Sequence, residues 1–195
     1  MGMELIKKQK EWADAAAAIW KQDIHAEGDE DVITTFFDKC DWQWALNQTT
    51  NNGKYSEEAR REHPQLLNWC GIFVAAAGLK VGLAKPVAKH IMPSTHRLQS
   101  DKRWKNAKLE PFDTVKCCEI RRGDILSLGT HSPPKPYGDH IVIVSDVYGS
   151  TARTIEGNTY GYLRHGAYTR GVVQRDRKFD LIKEAYRPKL LHFEE

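Results

Sequence analysis

The sequence lacks most of the features that would place a chain at once. Its four cysteines, Cys40, Cys70, Cys117 and Cys118, form no C-x-x-C pair, which speaks against a zinc site or a disulfide framework. No apolar run approaches the ~20 residues of a membrane span. The N-terminal lysines precede no apolar h-region, so no signal peptide is expected. Ile6 stands where a myristoylation signal has Ser or Thr. Charge of one sign is also scarce: 29 basic against 26 acidic residues leave a net +3. That is too little for the concentrated basic face of a nucleic-acid binder, though compatible with an anionic polymer. Internal repeats and low-complexity tracts are missing as well. The expectation is a chain made without a leader in a reducing cytoplasm, with no nucleic acid and no membrane insertion.

With 195 residues, of which 41% are hydrophobic, the chain can build a core without disulfide staples. Its most telling stretch is Asn68-Trp69-Cys70-Gly71-Ile72-Phe73-Val74-Ala75-Ala76-Ala77-Gly78. The run has no polar face, so the spacing predicts a helix buried nearly all round. Asn68 is the expected N-cap and Gly78 or Gly82 the expected end. Cys70 would sit in the first turn, where the helix dipole favours a thiolate. By itself it reads equally well as a small apolar core residue.

Before this stretch, residues 4–22 read as a helix with Leu5, Trp12, Ala15, Ala16, Ile19 and Trp20 on one side. The acidic link from Glu27 to Asp31 lacks the ligand alternation of a calcium loop and reads as a solvated turn. Residues 32–48, with Phe36, Phe37, Trp42 and Trp44, read as a second helix, and Asn47 to Gly53 as a loop. Residues 1–50 are therefore expected to be a helical N-terminal extension docked on a domain of residues 51–195. Ser56 to Ala59 opens a further helical stretch that breaks near Pro64.

The period changes after Pro111. Arg121-Arg122-Gly123-Asp124 reads as a turn feeding a strand, with Asp124 a turn residue. Thr130 to Gly138, with three prolines, reads as a surface loop. His140 to Val147 is the clearest strand. Thr154 to Glu156 reads as its partner through a turn at 148–152, followed by strands at Gly171 to Arg175 and Lys183 to Pro188. Adjacent Cys117 and Cys118 are expected on opposite faces of a strand. Helices followed by an antiparallel meander give an α+β fold.

His140, Val142 and Val144 share one face of their strand, and Glu156 and Asn158 share a face of the next. If the Cys70 helix packs on the sheet, Cys70, His140 and Glu156 can converge as nucleophile, base and orienter. Glu156 and Asn158 compete for the third place, and Glu156 has the advantage that a carboxylate stabilises imidazolium. His90, His96 and His131 read as surface residues. His165 follows Tyr160 and Tyr162, aromatics that either line a groove or pack a loop.

The order Asn68-Trp69-Cys70-Gly71-x-Phe73-Val74, Arg122-Gly123-Asp124-Ile125, Gly138-Asp139-His140-Ile141-Val142-Ile143-Val144, then Ile155-Glu156-Gly157-Asn158 resembles the CHAP family. These are cysteine, histidine-dependent amidohydrolases/peptidases of the papain-like NlpC superfamily, and the resemblance spans roughly residues 55–180. It implies a papain-like fold, with the nucleophile helix on an antiparallel sheet, and hydrolysis of amide bonds in bacterial peptidoglycan. Cys70 would be the nucleophile, His140 the general base, Glu156 its orienter and Asn158 an additional polar group. Trp69 stands where the family often has glutamine, which leaves the Cys70 N–H and Asn68 as oxyanion candidates. No metal or organic cofactor is implied. A leaderless enzyme of this kind fits a type VI secretion effector or a phage lysis enzyme. It would act in the periplasm or cell wall of a target bacterium, an effector with a cognate immunity protein. The rival reading is a non-catalytic cell-wall-binding or phage-tail module of the same fold.

Overall fold

A computed structural model describes residues 2–40, 57–63, 65, 67–88, 91, 112–129 and 140–193. Helix α1 (Gly2–Trp20) buries Gln9, Trp12, Ala13, Ala15, Ala16 and Ile19 along one face, the three-and-four spacing of an amphipathic helix. Helix α2 (Glu30–Lys39) starts within the acidic link, with Glu30 and Asp31 in its first turn, where the dipole favours carboxylates. Helices α3 (Glu57–Glu62), α4 (Cys70–Leu79) and α5 (Lys85–Ala88) follow. The expected extension of α2 through Trp42 and Trp44 lies outside the described residues. So do the 47–53 loop, Ser56, Pro64, His90, Pro93, His96 and the 130–138 loop with His131.

Among the described residues, six strands form one antiparallel sheet in the order β1-β6-β2-β3-β4-β5. They are β1 (Phe112–Val115), β2 (Ile125–Leu128), β3 (His140–Tyr148), β4 (Thr151–Tyr162), β5 (Tyr168–Lys178) and β6 (Ile182–Pro188). The protein is α+β. The β3–β4 turn is two residues long, with Gly149 at φ +56°, a backbone region that glycine enters without penalty. Cys117 and Cys118 do not alternate across a strand. The chain leaves β1 at Val115 and turns through a 3-10 helix at Cys117–Glu119, where both thiols are exposed.

The two sheet faces hold different cores. Ile125, Ile141, Ile143, Ile155 and Val172 pack with Ile72, Phe73 and Val74 of α4 and with Trp12, Ile33 and Phe36 of the first two helices. Leu126, Leu128, Val142, Val144, Ala152 and Ala185 form a second cluster. Ile141 and Ile143 of β3 pack in the helix-side cluster, and Val142 and Val144 in the second one, as alternation along a strand requires. Val142 and Val144 face away from α4.

Segment 2–40 is built into the same core as α4. The Trp12 indole Nε1 donates to the Val74 carbonyl at 3.1 Å. Buried Gln9 donates to Asp124 at 2.9 Å and accepts from Arg121. The link after α1 pairs with β5, Val172 N–H donating to Ile24 O and Ala26 N–H to Arg170 O. An edge strand is thereby covered rather than left open for pairing with another chain.

Candidate active site

Cys70 is the first residue of α4. The N-cap position is Trp69 and no side chain caps it, while Asn68 is exposed. The expected Asn68 cap is therefore displaced by one residue. The physical reason is the anchoring of Trp69, which is fully buried with its ring 6.1 Å from that of Phe36. It also lies so close to Gly157 that a Cβ there would meet the indole at 2.8 Å and Phe73 at 2.6 Å. Only glycine lets the helix start approach β4 this closely.

The Cys70 thiol is 5% exposed. Burial alone would push its pKa up, because desolvation disfavours the thiolate. The hydrogen bond and charge of His140, with the Ile141 and Gly71 N–H groups, more than offset this and hold the thiol below its ordinary value. His140 opens β3 and its Nε2 lies 3.1 Å from Glu156 Oε2, which leaves Nδ1 for the sulfur. Burial would lower this imidazole, but hydrogen bonds and charge from Cys70 and Glu156 raise it to about 9. Both shifts favour the thiolate–imidazolium form of the pair over the neutral one.

Glu156 is fully buried on β4. Desolvation would raise its pKa, yet Arg177 and His140 hold it well below the usual carboxylate range. Its Oε1 accepts from Arg177 Nε at 2.6 Å and from the Thr154 hydroxyl at 2.6 Å, and its Oε2 accepts from Arg177 Nη2. Thr154 and Glu156 share a strand face, and Arg177 reaches them from β5, where it pairs in register with Ala152. Sequence reasoning missed both residues. It ended this strand at Arg175, and Arg175 and Arg177, two residues apart, gave no sign of which one turns inward.

The structure brings Cys70, His140 and Glu156 into one line of contacts. Asn158 is held elsewhere. It occupies a bulge at φ +61°, donates from Nδ2 to the Leu67 carbonyl at 3.1 Å, and accepts from Arg170 Nε at 2.8 Å. Those bonds tie β4 and β5 to the segment that enters α4. Trp69 packs in the core, and its Nε1 has no hydrogen-bond partner among the described residues. The Cys70 N–H belongs to the first-turn donors that α4 leaves without a helical acceptor. Tyr160, Tyr162 and Tyr168 are exposed and pack on one another at centroid distances of 6.3 and 5.1 Å. His165 pairs with Asp23 at 2.7 Å. Among the described residues no cluster of His, Cys, Asp and Glu is arranged to hold a metal.

No family model and no curated protein matches the chain. Among solved structures, a crystal structure of Ly7917 aligns at 18% identity and a TM-score of 0.40, over 61% of this chain and 52% of that one. A crystal structure of Ly7917 with the hydrolyzing product of MDP aligns at 21% identity and 0.34, over 50% and 38%. The chain spans about half the length of the first of these.

Proposed function

We propose that the protein is a cysteine amide hydrolase acting on bacterial peptidoglycan, as an amidase or endopeptidase. The observation that carries the chemistry is the unbroken contact line from Cys70 through His140 to Glu156, with the thiol lowered despite its burial. A non-catalytic module has no physical need to set a histidine and a buried carboxylate so that they lower a buried thiol. The substrate class rests on the resemblance of the four motifs to the CHAP family. Delivery as a type VI effector or a phage lysis enzyme, with an immunity protein in the first case, extends the same reading.

In this mechanism the Cys70 thiolate attacks an amide carbonyl, and the new C–S bond places negative charge on the carbonyl oxygen. The Cys70 N–H, a first-turn donor without a helical acceptor, is a backbone donor for that oxyanion. As the C–N bond breaks, His140 gives its proton to the leaving amine, and a thioester remains. Neutral His140 then takes a proton from water, whose oxygen attacks the thioester. The carboxylate product leaves, and the thiolate–imidazolium pair is restored. Glu156 accepts the Nε2–H throughout, which fixes the ring and stabilises its charged form. The direct test is a mass-spectrometric digest of purified peptidoglycan. New amine and carboxylate ends with the wild type and none with Cys70→Ala support the proposal. An undigested polymer, or equal digestion by both, contradicts it.

A further inference from the structure

Glu156 is a carboxylate with no access to solvent, and such a group, left alone, takes up a proton and ceases to be a counter-charge. Among the described residues the groups facing it are few. Thr154 comes from its own strand, His140 from β3 and Arg177 from β5, and the Cys70 sulfur on α4 lies beyond the imidazole. Arg177 is itself buried, and its Nε and Nη2 go to different oxygens of the one carboxylate. A two-point contact of this kind fixes the plane of a carboxylate as well as its position. With Oε1 also taken by Thr154, the lone pair left facing the imidazole belongs to Oε2.

We propose that Arg177 is a positioning residue of the hydrolytic site, aligning and ionising Glu156 so that it can hold the His140 ring in register with Cys70. Arg177 touches neither the sulfur nor the imidazole. It acts through Glu156, in an alternating row of guanidinium, carboxylate, imidazolium and thiolate. Charge and shape make separable contributions. The positive charge keeps the carboxylate ionised, and so able to serve as the counter-charge of His140. The planar fork sets direction, which a lysine ammonium cannot do.

The inference rests on Cys70 being the nucleophile, and the experiment tests the two separately. Iodoacetamide alkylation of Cys70, followed by peptide mass spectrometry across pH, reports the acid limb. Peptidoglycan hydrolysis reports kcat, KM and the alkaline limb. Arg177→Met lets buried Glu156 take up a proton and cease to be the counter-charge of His140, so the alkaline limb should move to lower pH, as in Glu156→Gln, with kcat reduced. Arg177→Lys keeps the charge and loses the fork, so its limbs should stay in place while kcat falls and KM holds. In a Glu156→Gln background, Arg177→Met should cost no further rate, since the group it aligns is gone.

An unmoved alkaline limb in a folded Arg177→Met protein would overturn the proposal. So would an equal rate loss with and without Glu156. Should Arg177→Met fail to fold, Arg177→Lys decides alone: a wild-type kcat overturns the proposal and a reduced kcat at unchanged limbs upholds it. Wild-type Cys70 that alkylates no faster than Cys117 at pH 6 would instead reject the nucleophile reading itself.

Discussion

Cys40 and Cys70 are two residues of almost equal burial, 4% and 5% exposed, one at the C-terminal end of α2 and the other at the N-terminal start of α4. Cys40 closes α2, where its sulfur lies 3.7 Å from the Ile72 carbonyl. Burial pushes its pKa up to about 12, and only Lys39 pulls the other way. Cys70 opens α4, bonded to His140 and two backbone N–H groups, and is lowered instead. Desolvation raises both thiols, so burial does not decide reactivity. The neighbouring dipoles and charges do, N–H groups and an imidazolium at one end against carbonyls at the other.

Exchanging the sulfurs for methyl groups should break this comparison most sharply. Cys70→Ala should lower hydrolysis by roughly 10⁴-fold or more, as loss of a nucleophile does. Cys40→Ala should leave the rate within about twofold and cost only packing, about 1 kcal/mol. A digest assay and a thermal melt on the two proteins check both. His140→Ala comes next, with a loss of roughly 10²–10⁴-fold for the general base. It should also make Cys70 behave like Cys40, its alkylation at pH 7 falling with the lost imidazolium.

Glu156→Gln should cost roughly 10- to 100-fold, the worth of one charge-assisted hydrogen bond. Asn158→Ala should cost less, because Asn158 spends its bonds on Leu67 and Arg170 rather than on His140. A steeper loss in Asn158→Ala would give that residue the third role. With its counter-charge gone, His140 in the Glu156→Gln protein should also lose its proton at lower pH than in the wild type.

The pH profile sharpens the contrast further. His140 carries its proton up to about 9, and Cys70 gives up its own below the ordinary thiol value. Hydrolysis needs both the thiolate and the imidazolium, which must protonate the leaving amine. Its rate should therefore fall as pH rises through about 9, and fall again in acid as Cys70 takes up a proton. Alkylation needs only the thiolate, so it should persist on the alkaline side. Stopped assays on one preparation, run from pH 5 to 10.5, separate these behaviours.

The smallest expected effect is structural. Gly157→Ala places a methyl against Phe73 and Trp69 and should destabilise the protein by about 1–3 kcal/mol. A melting temperature equal to wild type would show that α4 does not seat against β4 as described.

A second pair, of carboxylates, shows why part of the site could be read from sequence and part could not. Asp124 and Glu156 are both fully buried and both held by arginines. Asp124 ties Arg121, Arg187 and Gln9 together and leads to no nucleophile, and burial raises its pKa. Cys70, His140 and Glu156 could be placed because a helix start and two strands of alternating β-branched residues carry them. The period of such elements is local information. Arg177 and the Gln9 lock depend on register across strands and on the docking of α1, which are set by pairing at long range. The Asn68 cap was misplaced for a related reason. Capping preference is worth about 1 kcal/mol, and the burial of Trp69 outweighs it.

Competitive alkylation of all four cysteines at pH 6 tests the central claim most directly. Native protein would be treated with a small haloacetamide and quenched over time, and each thiol read by peptide mass spectrometry. Cys117 and Cys118 are exposed, and Cys40 is buried with its pKa pushed up by desolvation, so they bracket what access and burial do. The account predicts that Cys70 reacts first despite its 5% exposure, and that the lead vanishes in His140→Ala. Cys70 reacting no faster than Cys117 and Cys118, or keeping its lead without His140, would contradict it.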